Sequence, residues 1–175
     1  MKRKILLHIS LLSIVWLLCA TDGLLGQSKR IKSMDDLFAT YEQVKGVGYI
    51  SISPGLLKFK AAESKEMDEI FNCIASLRIL NIDITPELEN LANRIRQDVQ
   101  TLVRQENYEE IVKMKDSDSH FVIYLSKNKD KNSQHLEALL MVASEKSELV
   151  LIGISGKITQ KVIDAVLEGK IGITL

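Results

Sequence analysis

The sequence predicts an α+β domain, a mixed and largely antiparallel sheet of about six strands with helices packed on it. Three observations lead there. Apolar residues recur at helical spacing over most of the chain up to about residue 105, and from Tyr108 onward the spacing changes to period two with short polar connections. No repeated strand–helix–strand unit of the kind that builds a doubly wound parallel sheet is evident. At 175 residues the chain fits one domain with a core of ordinary proportions.

The first residues read as something other than that domain. Lys2, Arg3 and Lys4 make a basic start, Ile5 to Ala20 is a nearly uncharged Leu-rich run, and Thr21 to Gly26 is smaller and more polar. This is the layout of a secretory signal, and the apolar run is short for a membrane span of about 20 residues. The expected organisation is therefore a signal peptide over 1–26 and a single α+β domain over 27–175, in an exported protein of the periplasm or cell envelope. Cleavage after Ala20 is the alternative. Cys19 raises lipidation, but Leu18 stands where that processing prefers a small residue. Membrane contact is expected only if Cys19 is lipidated or the signal is retained.

The elements follow in order. Ser33-Met34-Asp35-Asp36 resembles a capping box, and Met34, Leu37, Phe38, Tyr41 and Val44 keep helical spacing until Gly46, which predicts a helix over 34–45. Val47 to Ser53 alternates as a strand, and Ser53-Pro54-Gly55 predicts a turn. Met67, Ile70, Phe71 and Ile74 predict a helix over 64–76, and Leu80, Ile82 and Ile84 a strand over 78–84. Thr85-Pro86-Glu87 has the form of a helix opening. Leu88, Leu91, Ile95, Val99 and Leu102 continue it as the longest helix, with Arg94, Arg96, Gln97, Asp98 and Gln100 on the solvated side.

Four strands are predicted next, over 108–115, 121–126, 136–143 and 149–154, forming a meander. The third is the weakest, because "HLEALLMVASE" also has high helix propensity. A last helix over 159–167 starts at Thr159, and "KIGITL" alternates as a short final strand would.

Charge excludes one function class. From Gln27 the chain carries 20 Lys plus Arg against 22 Asp plus Glu, a net charge of −2, which argues against a nucleic-acid partner held by phosphate neutralisation. Cys73 is the single cysteine after residue 26, so no internal disulfide framework can form there. Its place on the apolar side of a helical pattern suits a small buried hydrophobe.

"LVLIGISGKIT", residues 149–159, has the outline of a phosphate loop or a nucleophile elbow. A phosphate loop ending at Gly156-Lys157 needs glycine at 151 and a hydroxyl at 158, where Leu151 and Ile158 stand. An elbow accommodates Gly153 and Ser155 but needs a small residue in place of Lys157. A hydrolase centred on Ser155 also requires a base, for which His120 and His135 are the histidine candidates. The simpler expectation is a buried strand ended by glycines, followed by Thr159 as helix cap.

"DSDSH" sets Asp116, Asp118 and His120 at alternating positions. A calcium loop would continue with a glycine and a distant glutamate, whereas the chain enters "FVIYL", so turn formation is the simpler reading. "KNKDKNSQ", residues 127–134, suits a solvated connection without the interleaved aromatics that stack on bases.

Three stretches, "MDDLFATYEQVKGVGYISISPGLL", "IASLRILNI" and "YEEIVKMKDSDSHFVIYLSKN" followed by "LVLIGISGKIT", make the chain resemble a family of small exported proteins from Bacteroidetes classed only as a domain of unknown function. The resemblance implies a signal peptide or lipoprotein signal, an α+β domain, no assigned catalytic residues, and genes near sigma and anti-sigma regulators. The preferred expectation is a non-enzymatic protein-interaction or sensing domain with an envelope protein partner, linked to such signalling. No catalytic, cofactor-binding or metal residue is assigned, and no cofactor. The alternatives are a small hydrolase or ligand-binding enzyme using Ser155 or the Asp116-His120 turn, and a structural envelope component acting through its long helix or a sheet edge.

Overall fold

The structure, a computed structural model, describes residues 31–61, 64–126 and 136–171. The expected signal segment, Cys19, His135, the 127–134 loop and the tail beyond Ile171 lie outside them.

Helix α1 (Met34–Tyr41) leads into β1 (Gly48–Ile52), α2 (Pro54–Ala61), α3 (Lys65–Asn72) and β2 (Ile74–Asp83). The long helix α4 (Glu89–Gln105) follows, then β3 (Tyr108–Lys115), β4 (Ser119–Ser126), β5 (Leu136–Glu145), β6 (Glu148–Ile158) and α5 (Gln160–Leu167). Among the described residues six strands form one sheet in the order β1-β2-β6-β5-β4-β3, with every pair antiparallel. The expected α+β class and meander are what the chain adopts. Helix α4 is the long connection that carries the chain from β2 to the far edge, where the meander begins.

Helices cover both faces of the sheet. On the first face, Leu37, Phe38 and Tyr41 of α1 and Ile95, Val99 and Leu102 of α4 bury against Leu80, Ile82, Leu140, Leu149 and Leu151. On the second, Leu57 of α2, Ile70 and Phe71 of α3, and Val162 and Ala165 of α5 bury against Leu77, Leu139, Met141, Ile152 and Ile154. Burial on both faces is why 138–143 and 149–154 read as nearly continuous apolar runs rather than strict alternations. It also decides the weakest expectation. The 136–143 segment is a strand because its two sides fill two cores, each large apolar side chain contributing about 1.5–3 kcal/mol on full burial, which overrides helix propensity.

Several boundaries differ from expectation. Helix α1 ends at Tyr41 rather than 45, in a turn closed by Val44 N–H to the Tyr41 carbonyl at 3.1 Å. Ser53-Pro54-Gly55 opens α2 rather than a simple turn. Proline suits the first helical position, and the Ser53 carbonyl accepts from the Leu56 and Leu57 amides at 3.1 and 3.2 Å. Helix α3 stops at Asn72 with Cys73 as its C-cap, and β2 begins at Ile74, inside the predicted helix, because Ile74, Ser76 and Leu77 pair with β6. Thr85-Pro86-Glu87 is a turn, closed by Leu88 N–H to the Thr85 carbonyl at 3.0 Å, and α4 starts after it. β6 runs through both glycines to Ile158, so the expected stop at the glycines is corrected.

Candidate functional site

The stretch 149–159 lies at the centre of the molecule, as a strand paired on both sides. Gly153 and Ser155 point to the first face. A Cβ on Gly153 would come within 2.6 Å of the Phe38 ring and 2.9 Å of the Met34 sulfur, so this glycine lets α1 lie directly on the sheet. Gly156 has φ +140°, a region that favours glycine, and a Cβ there would stand 2.2 Å from the Cys73 carbonyl oxygen. The contact arises where the β2–β6 register slips between Ile74 and Ser76 and the Lys157 amide donates to the Cys73 carbonyl at 2.8 Å. Both glycines serve close approach of backbone or ring.

Ser155 sits beside a notch of about 190 Å³ lined by Lys32, Asp35, Glu106, Tyr108 and Ser126 among others. Its hydroxyl lies 2.6 Å from that of Ser76. Arg78, whose side chain lies over the Phe38 ring at 5.4 Å, pairs with Asp35 and donates to Ser76 Oγ at 3.4 Å. The Arg78 Nε is buried without a hydrogen-bond partner. A serine nucleophile is activated by a base at hydrogen-bond distance, and here that place is taken by another serine.

His120 is remote from it. Ser155 pairs with Ala138 and Ala138 with Ser126, while His120 pairs with Ser144, six residues or about 20 Å further along the strands. There it lines a cavity of about 100 Å³ with Arg96, Tyr124 and Ser144.

The Asp116-His120 turn is built as a turn. The Asp116 carboxylate accepts from the Ser117 amide at 2.7 Å, the Asp116 amide donates to the Ser119 carbonyl at 2.9 Å, and Asp118 pairs with Lys146 at 2.5 Å. His120 lies in β4, so the three side chains do not converge. Among the described residues no group of three or more His, Cys, Asp and Glu side chains is arranged to hold a metal ion.

Two polar contacts escaped the sequence reading. Tyr41 is 1% exposed and its hydroxyl donates to the Asp98 carboxylate, with Arg94 5.9 Å over the ring. Burial, then the bond to Asp98, push the Tyr41 pKa well above the usual tyrosine range. Arg96 donates to Ser144 Oγ through Nε at 3.2 Å and Nη2 at 2.9 Å, which ties α4 to β5. Asp98 and Arg96, expected on the solvated side, therefore face partners across helix boundaries. Cys73 is half-buried against the second core rather than fully buried.

An apolar groove lies on the second face. It holds about 370 Å³ between α5 and the β3–β4 end of the sheet, lined by Val112, Met114, Phe121, Ile123, Met141 and Leu167 among others. A second hollow of about 430 Å³ shares Met114 and Phe121 with it and continues to Ala143 and Val150. The helices on this face leave β3 and β4 partly bare. Met114 is 58% and Leu167 54% exposed.

The family model described as "Domain of unknown function (DUF4252)" matches residues 41–166, most of the chain. The chain belongs to this family. The DUF4252 match runs from the last residue of α1 into α5 and takes in the whole sheet, the Tyr41–Asp98 contact, the Ser76–Ser155 pair and most of the groove. No curated protein matches the chain.

Proposed function

We propose that this DUF4252 chain is a non-enzymatic protein-interaction or sensing domain of an exported, envelope-associated protein, and that the second-face groove is where it meets its partner. The observation that carries the reading is the groove itself. It joins exposed Met114 and Leu167 to a concave, mostly apolar stretch of sheet, and its volume of about 370 Å³ falls in the range in which binding pockets are found. Two methionines in its wall, Met114 and Met141, give a surface able to adapt to a binding segment. Export rests on the basic and apolar start of the chain, and the link to sigma and anti-sigma signalling on the family resemblance. A hydrolase using Ser155 has less support, because its hydroxyl faces Ser76.

The test is cross-linking in envelope fractions from cells producing the full chain, comparing wild type with Met114→Glu and Leu167→Glu. A protein recovered with wild type and lost from both variants supports the reading. Equal recovery with variants and wild type would overturn it.

A further inference from the structure

Interior and edge strands meet different demands. An interior strand flanked by strands and covered by helices reads as an uncharged run, whereas edge strands carry charges, bulges or proline that discourage pairing with another chain. β3 fits the edge pattern, with Glu109, Glu110, Lys113 and Lys115 along it and a register slip between Glu110 and Val112.

β1, the outer strand at the other end among the described residues, is short but carries no charge, bulge or proline. Residues 46–57 contain no charged residue in a chain that is 26% charged. The β1–β2 register runs unbroken from Gly48↔Asn81 to Ile52↔Leu77. Comparable uncharged runs, 138–144 and 149–156, belong to β5 and β6, each of which has a strand on both sides. β1 thus has the composition of an interior strand in an edge position. Ile50 is 52% exposed, and Leu56 on α2, directly after the strand, is 56% exposed. With Met114 and Leu167 they are the large apolar side chains exposed among the described residues.

We infer that β1 is an interface between two copies of this chain, paired antiparallel about a two-fold axis at Ile50 so that two six-stranded sheets become one. A two-fold edge contact must be self-complementary. In this register Ile50 meets its own counterpart, Tyr49 meets that of Ser51, and Gly48 that of Ile52. No like charges are brought together, and the outward N–H and C=O groups of β1 gain strand partners. A five-residue strand pair alone falls short of the roughly 1,200 Å² that a stable interface buries. Leu56 supplies the apolar surface that extends it beyond the backbone pairs.

The surface is separate from the groove, so the two can be tested apart. Light scattering on the full chain across micromolar concentrations should give twice the mass of one chain. Ile50→Lys, which sets like charges opposite each other at the axis, should halve that mass while its circular dichroism stays that of the folded chain, and Met114→Lys in the groove should leave it doubled. Ile50→Cys gives a readout that needs no loss of function. Antiparallel neighbours place Cα atoms about 4.5–5.5 Å apart, within disulfide range, so mild oxidation should link two chains through this position but not in the wild type. Single-chain mass for the wild type, a doubled mass for Ile50→Lys, dissociation by Met114→Lys, or no link through Ile50→Cys would each overturn the inference.

Discussion

A Cβ at residue 156 decides more than the hydroxyl at 155. Gly156 combines a left-handed φ with backbone atoms of Cys73 and Ala75 within 3 Å of any added side chain. Gly156→Val is expected to lower stability by more than about 1 kcal/mol in denaturant unfolding, and an unchanged midpoint would refute the steric account. Tyr41 offers a pH test. The folded state keeps its proton beyond about pH 10, where the unfolded chain loses it. Above that pH the unfolded state binds fewer protons, so stability falls as pH rises, by up to about 1.4 kcal/mol per pH unit, and is unaffected by this group below it. Tyr41→Phe should cost about 1 kcal/mol at neutral pH by leaving Asp98 without its donor, and should make the alkaline decline shallower. Equal alkaline slopes in the two proteins would remove Tyr41 as the cause. Tyr124, raised first by burial, titrates with the same sign in both.

Helix caps show how far an element's chemistry is written locally. Ser33 and Ser64 each accept from an amide of the first turn, Asp36 at 3.0 Å and Met67 at 3.2 Å. Thr159 has the extended backbone of an N-cap, with φ −90° and ψ 167°, but its side chain makes no capping bond. Ser33→Ala should therefore cost about 1 kcal/mol and Thr159→Ala less than about 0.5 kcal/mol. A larger loss at Thr159 would reverse the assignment. The Ser33 cap was readable because a cap lies within three residues of the amide it serves, whereas at Ser64 the sequence predicts only the start of a helix. The start of β2 was not readable, since Ile74 to Leu77 continue a helical apolar pattern and become strand only by pairing with β6. The same holds for α2, whose opening serine, proline and glycine equally describe a turn.

For the whole molecule, the sheet with helices on both faces accounts for the apolar runs and also for what they leave uncovered. The groove at Met114 and Leu167 and the strand edge at Ile50 lie at opposite ends of the strand order. Charged substitutions at Met114 and Leu167 should alter association with the partner while changing stability by no more than about 0.5 kcal/mol, as for ordinary surface changes. Larger destabilisation at Met114 or Leu167 would mean that the groove wall is part of the core. The sequence identified Ser155 and the 116–120 turn as places worth testing. It could not show that Ser155 meets a residue 79 positions earlier, or that His120 lies at the far end of the strands.

Residue patterning alone carries the α+β class, the helix-then-meander order and the approximate core, because burial on one or two sides leaves a period in the chain that short-range physics enforces. The strand order, the partner of Ser155, the role of Gly156 and the faces left bare emerge when the chain folds. Each of these depends on which distant backbones come together, and that choice is made by the joint filling of two cores rather than by any local stretch.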